Sequence, residues 1–377
     1  MLETRKDFRV CSLTPKGRAK QPLAEMAIPL DEPSPVIRSA MTTESTLTAA
    51  QPYQVLVLAT MSAGKSTLIN ALLGHTLLPT SNLACTARAF RISHRPGTDW
   101  RVRQQTEGQT HAWHPATAQT LTALNRDAST ASVCLEGAFY TWRQRGLGLV
   151  LLDTPGPNNS RSSAHGAVTW ALLGGGEFHN VIYILNATQL GIDDDAQLLR
   201  QLRQACTDHR LGKPVFVLNK VDELDDEQGD SLAEVVDQAA NYLRQAGFAR
   251  PTVIPLSASL ALAARKRTQG APLSQKELGR LTATLRVPAQ HLRRWLACAR
   301  VPKDVRQRMR EEFVKRGQRT TTQAYPLDSL SIDAQCLRTL ELGSGIRTLE
   351  VMLEHLHSKQ HYSARQINND FDAVETP

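Results

Sequence analysis

The stretch VLVLATMSAGKSTLINALLG, Val55 to Gly74, narrows what this chain can fold into more than any other. It sets a strand, a glycine-bearing loop and a helix end to end. Tyr53 to Leu58 is a short apolar, β-branched run of buried-strand type, and Leu68, Leu72 and Leu73 fall on one face of the helix that follows. A loop held between such elements turns its backbone N–H groups inward on an anion at the helix N-terminus. The N–H groups of Thr60, Met61, Ser62, Ala63, Gly64, Lys65, Ser66 and Thr67 are then the cradle for phosphate groups. Gly64 keeps the backbone bare beside them, Lys65 reaches the β- and γ-phosphates, and Ser66 offers a hydroxyl to Mg2+. Ala59 stands where the G-x-x-x-x-G-K-[ST] pattern begins with glycine. Its methyl lies at a strand end, a milder change than a methyl at Gly64, so the loop reads as a working phosphate site.

Further strand-like runs end in polar signals of the same kind. LVLLDTPG ends in Asp153, suited to hold a Mg2+-bound water, and Gly156, whose N–H is suited to meet a γ-phosphate. VFVLNKVD ends in Asn219, Lys220 and Asp222. The Asp222 carboxylate accepts from the N1–H and 2-amino groups of guanine, a pairing that adenine lacks, while Asn219 braces the base and neighbouring loops. VIPLSAS ends in Ser257 and Ala258, where a backbone N–H is expected to meet the guanine O6. Alone, D-T-P-G is a tight turn and N-K-x-D a solvated one. The three motifs in this order, each after a strand, point to GTP. All of them lie at strand carboxyl ends, where ligands of open α/β sheets bind.

Apolar runs alternate with helical stretches from Tyr53 to about Ala264, which implies an α/β fold: a mostly parallel sheet with helices on both faces. Residues 1–50, mixed in Pro, Ser, Thr and charge, read as a poorly structured N-terminal extension. The nucleotide domain is expected over 51–265, a basic helical insertion over 266–335, and a closing amphipathic helix and tail over 336–377, with Ile346, Leu349, Leu353 and Leu356 on one face. The net charge of +8 is concentrated: sixteen Lys and Arg stand against four acids between Arg265 and Arg319. Such a block is either a polyanion-binding surface or a solvated helix face. Trp295 with Leu292 and Leu296 offers a small apolar wedge to an anionic membrane. No apolar run reaches the length of a membrane span and the first residues lack a secretory core, so a cytoplasmic location is expected. Six scattered cysteines read as reduced thiols that hold no metal.

With these motifs in place the chain resembles the TRAFAC class of P-loop GTPases, and within it the bacterial dynamin-like large GTPases. Lys65 and Asp153 stand 88 residues apart, a longer insert than ribosome-assembly GTPases with the same three motifs carry. The insert holds LLPTSNLACTARAF, similar to the first switch of the dynamin group, with Thr86 at its Mg2+-binding threonine. VIYILNATQLGIDDDAQLL resembles that group's strand and dimer-contacting loop. The likeness spans about Pro52 to His357. It implies a P-loop GTPase fold that hydrolyses GTP through Lys65, Ser66, Thr86, Asp153 and Gly156, with Mg2+ on Ser66, Thr86 and Asp153. It also implies a homodimer paired through G domains, and peripheral contact with a membrane or nucleic acid through residues 265–319.

Three departures shape the expectations. Met61 occupies the place of the water-holding glutamine of eukaryotic dynamins, which implies slow hydrolysis or another group in that role. The short tail after His357 stands where the family continues into a stalk, which sets membrane fission by this chain alone aside. The variable helical place taken by the basic block favours nucleic acid slightly over lipid. Met61 itself reads as a packing residue and Asp193 to Asp195 as a solvated helix start, with Gln189 near the same surface. Two alternatives stay open: a nucleotide-gated binding module with little hydrolysis, and a ribosome-assembly-type GTPase.

Overall fold

Apolar, β-branched runs set the frame. β1 (Tyr53–Ala59), β7 (Leu149–Asp153), β8 (Asn180–Asn186), β9 (Val215–Asn219) and β10 (Thr252–Leu256) pair in parallel in the order β10-β9-β8-β1-β7. They are covered on both faces, which is why the sequence reads as unbroken apolar runs. The computed structural model describes residues 52–80, 88–142, 148–154, 173, 178–208, 212–224, 231–285, 289–317, 324–327 and 330–372. The expected N-terminal extension, residues 1–50, lies outside them, and every described residue belongs to the unit Glu32–Pro377.

Beyond β7 the sheet changes character. β2 (Ala89–His94) runs antiparallel to β7, β6 (Ser132–Gly137) parallel to β2, and β3 (Arg101–Thr106) antiparallel to β6. Two short strands, β4 (Gln109–Thr110) and β5 (His114–Pro115), lie against β3. All of these come from the long insert, so the sheet is parallel in one half and mixed in the other.

Period-two alternation sorts the core. Val55, Val57, Ile182, Ile184, Val217 and Ile254 face Leu68, Ile69 and Leu72 of α1 (Lys65–Leu73) and Ala261 of α5 (Ala258–Thr268). Leu56, Leu58, Tyr183, Leu185, Phe216 and Leu218 face Leu198, Leu199 and Leu202 of α3 (Asp193–Asp208) and Val236, Ala240 and Leu243 of α4 (Leu232–Gln245). Each large aliphatic side chain so buried contributes roughly 1.5–3 kcal/mol. α2 (Ala118–Arg126) covers the mixed half through the buried Leu121, and the Thr117 hydroxyl caps it by accepting from the Thr120 N–H at 3.0 Å.

The C-terminal third adds α6 (Gln275–Leu285), α7 (Ala289–Cys298), α8 (Lys303–Gly317), the hairpin β11 (Ala324–Leu327) and β12 (Leu330–Asp333), α9 (Ala334–Gly343) and α10 (Ile346–Asp372). Val305 and Met309 of α8 and Ile346, Leu349, Met352 and Leu353 of α10 join the same core cluster as α1. The turn before α10 requires glycine: Gly345 has φ +83°, and a Cβ there would lie 2.2 Å from the Pro255 carbonyl oxygen.

Part of the basic block is engaged in ion pairs within the protein. Arg265, counted in sequence with a polyanion-binding surface, is fully buried, because it carries two carboxylates into the core: Nη2 lies 2.9 Å from Glu341 and 2.8 Å from Glu350. Lys266 pairs with Glu277, Arg280 with Asp222 and Glu223, Arg300 with Asp237, and Arg308 with Glu354. The wedge expected at Trp295 and Leu296 is likewise engaged in packing, since both are partly buried against the core clusters. The side chain of Leu292 lies outside the described residues. Arg293, Arg306 and Arg310 remain exposed. Among the described residues no helix is long and apolar enough to cross a membrane.

Candidate nucleotide site

The phosphate loop leaves β1 at Ala59, buried in register with Ile184 of β8, so its methyl is part of the sheet packing. Ser62 (φ 63°) and Gly64 (φ 96°) take left-handed conformations, and these two reversals carry the chain from strand to helix. Gly64 then accepts the first α1 bond, from the Leu68 N–H at 2.9 Å. The Lys65 ammonium pairs with Asp153, which is completely buried at the end of β7. Two motifs separated by the whole insert are thereby joined through one charge pair.

Asn219 joins the third. Its Nδ2 donates to the Ala63 carbonyl at 2.8 Å, and its Oδ1 accepts from the Ala258 N–H at 3.0 Å. One buried amide thus ties the phosphate loop to the turn after β10. The demand for glycine at position 64 follows as well: a Cβ there would stand 2.3 Å from Asn219 Nδ2. The Ser257 hydroxyl accepts from the Leu260 N–H at 3.2 Å as the α5 cap, and the Ser257 N–H donates to the Ser344 carbonyl at 2.9 Å. Of the two backbone N–H groups at which a guanine O6 contact is expected, that of Ser257 donates to Ser344 and that of Ala258 to Asn219.

Lys220 (φ 68°) turns the chain into the short 3-10 segment Val221–Glu223, which presents Asp222 beside α6. Asp222 Oδ2 accepts from Arg280 Nη1 at 2.5 Å and from the Ser259 hydroxyl at 3.5 Å. Thr86 and Gly156 lie outside the described residues. Ser66 in the first turn of α1 and Asp153 at the end of β7 supply hard oxygen donors, a set that fits Mg2+ shared with phosphates.

Two expectations near the loop are corrected. Met61 is 59% exposed, because the loop bulges away from the core at that point, so it is not a packing residue. Asp193 and Asp194 are exposed as a solvated helix start, but Asp195 is buried, accepts from the Tyr183 hydroxyl at 2.8 Å and hydrogen-bonds with Thr60. Burial pushes its carboxyl above the usual carboxylate range, and the Tyr183 and Thr60 bonds oppose that rise. Asp195 is a prop beneath the phosphate loop. The signal was present in sequence: Asp195 is in helical phase with Leu198, Leu199 and Leu202, all of them buried.

Residues 55–221 match the model of the dynamin family. Two solved structures of an oligomerised bacterial dynamin pair, described as providing a mechanism for the long-range sensing and tethering of membranes, are also similar to this chain. One is 16% identical, with 86% of this chain and 48% of that one covered and a TM-score of 0.45. The other is 16% identical, with 71% and 43% covered and a TM-score of 0.43. The chain spans about half or less of the length of these neighbours. No curated protein matches it.

Proposed function

We propose that this chain, whose residues 55–221 match the model of the dynamin family, is a GTP-binding protein that hydrolyses GTP to GDP and phosphate. One observation carries this reading: the carboxyl ends of β1, β7 and β9 converge, with Lys65 on Asp153 and Asn219 bridging Ala63 and Ala258. Lys65 exchanges Asp153 for the β- and γ-phosphates, and the N–H groups from Thr60 to Thr67 surround them. Mg2+, when bound, neutralises charge on those phosphates; Ser66 and Asp153 would hold it, with Thr86 as a further ligand. Asp222 selects guanine, and Asn219 fixes the two loops against each other. In hydrolysis the oxygen of water bonds to the γ-phosphorus while the bond to the β,γ-bridging oxygen breaks and GDP leaves.

Pairing of two G domains activates the reaction in this proposal. Met61 on the phosphate loop and Ile192 just before α3 are exposed apolar side chains suited to such a contact. Met61 has no group to hold the attacking water, which also favours a second reading: a nucleotide-gated binding module with little turnover. The exposed Arg293, Arg306 and Arg310 are the surface we assign to an anionic partner, and sedimentation with phosphatidylserine vesicles or duplex DNA distinguishes the two candidates.

Titration with fluorescent GTP and ATP, followed by turnover at rising protein concentration, tests these readings. Lys65→Ala is expected to lower GTP affinity by at least about 100-fold in a folded protein, since it removes a charge-assisted contact to two phosphates. Equal affinity for GTP and ATP in the unmodified protein sinks the guanine assignment. Specific activity that rises with concentration supports pairing, and tight binding with no turnover supports the module.

A further inference from the structure

The residue assigned to guanine is held by the basic helical segment. Arg280 of α6 donates from Nη1 to Asp222 Oδ2 at 2.5 Å and to the Ser259 hydroxyl, and from Nη2 to Glu223 Oε1 at 3.2 Å. One guanidinium therefore clamps three groups on the base side, two on the 3-10 segment Val221–Glu223 and one in the first turn of α5. The Asp222 side chain is only 6% exposed. Its other oxygen, Oδ1, is buried with no hydrogen-bond partner among the described residues.

That state is costly. A carboxylate oxygen removed from water without a donor loses its hydration and gains nothing in return. Guanine offers two adjacent donors, N1–H and the 2-amino group, which suit a carboxylate with both oxygens available. Here one oxygen is covered and the other is taken by a cation. The two needs conflict, so the base and the arginine compete for one carboxylate.

We infer that Arg280 is an intramolecular latch on the base site: guanine binds Asp222 only when Arg280 lets go, so nucleotide binding and the position of α6 are coupled. This rests on the assignment of Asp222 to guanine made above. A site open in only a fraction of molecules binds with an apparent affinity reduced by that fraction. Reciprocity follows: whatever draws Arg280 away from Asp222 tightens GTP binding, and GTP in turn releases α6. The exposed Arg293 and Arg310 lie on the two helices that follow α6, which makes an anionic partner of those helices the chemistry best suited to pull the latch.

The test measures binding of GTP, ATP and inorganic tripolyphosphate to the full chain and to Arg280→Ala and Arg280→Lys, with thermal melting to check folding. Loss of one charge-assisted competitor is expected to tighten GTP binding by about tenfold in Arg280→Ala, with a smaller gain in Arg280→Lys, whose single ammonium cannot clamp all three groups. Tripolyphosphate, which has no base, is expected to bind all three proteins alike. If GTP affinity is unchanged or weaker in whichever variant folds, or if tripolyphosphate gains as much as GTP, the latch is overturned. If GTP and ATP bind equally well to every form, the guanine assignment falls, and the latch with it. GTP preferred over ATP at one affinity throughout leaves that assignment standing and removes the latch alone.

Discussion

His94 on β2 shows how far a single buried side chain reaches into stability. Its Nδ1 accepts from the Phe139 N–H at 3.1 Å, and its ring packs edge-on against Phe139. Burial pulls its pKa down to about 4, against a smaller opposing effect of a backbone hydrogen bond at Trp142. The unfolded chain takes up its proton near pH 6.5, so between about 6.5 and 4 the unfolded state binds more protons than the folded one. Stability therefore rises with pH through that window and is lost as pH falls, by about 3 kcal/mol in full. Urea unfolding of His94→Gln from pH 4 to 7 is expected to be flatter than the parent by most of that amount; parallel curves would contradict the assignment. At this scale Lys65, Asp153, Asn219 and Asp222 stand out in sequence through the motifs they sit in. The sequence did not reveal Asp195 as a prop or Arg280 as a clamp: helical phase turns Asp195 inward, but the partners of both residues lie on other elements, out of reach of a local motif.

Among the elements, the phosphate loop and the turn after β9 depend on each other through Gly64 and Asn219. Gly64→Ala places a methyl in the left-handed region and against the Asn219 amide. The amide must then move, and with it the bonds to Ala63 and Ala258. The expected result is a loss of GTP binding by at least about 100-fold with a destabilisation of about 1–3 kcal/mol, read by titration and by urea unfolding. Gly64→Ala that binds as well as the parent would show that the Asn219 bridge is dispensable. The five parallel strands were legible because burial on both faces leaves continuous apolar runs. The strands of the insert were not: AFRISH and RVRQQT carry charge and amide groups in a mixed sheet half, and no simple period marks them.

On the scale of the whole molecule, Arg265 is where distant segments meet. It donates to the Ala71 carbonyl of α1 at 2.6 Å, to Glu341 of α9 through Nε at 3.1 Å, and stacks 4.4 Å from the Tyr140 ring. Arg265→Ala would take from the buried Glu341 and Glu350 the guanidinium they share, leaving Glu350 the longer 3.5 Å pair with Arg347, a change expected to cost about 3–5 kcal/mol. Equilibrium unfolding measures it. Arg265→Ala combined with Glu341→Ala and Glu350→Ala is expected to recover part of the loss, because no unpaired charge then remains in the core. A single variant as stable as the parent would mean that the cluster carries no weight.

The same cluster sets an order of events during synthesis. Every nucleotide motif has left the ribosome once Ala258 emerges, yet the partners of Arg265 at Glu341 and Glu350 are still untranslated. Until they arrive, a guanidinium bound for the core has no carboxylate to meet, and the side of the sheet that α10 will cover stays open to water. A nascent chain of this length holds all the chemistry of the site without the means to close around it, and so must wait for its last helices, or for a chaperone to shield it, before its first ones can settle.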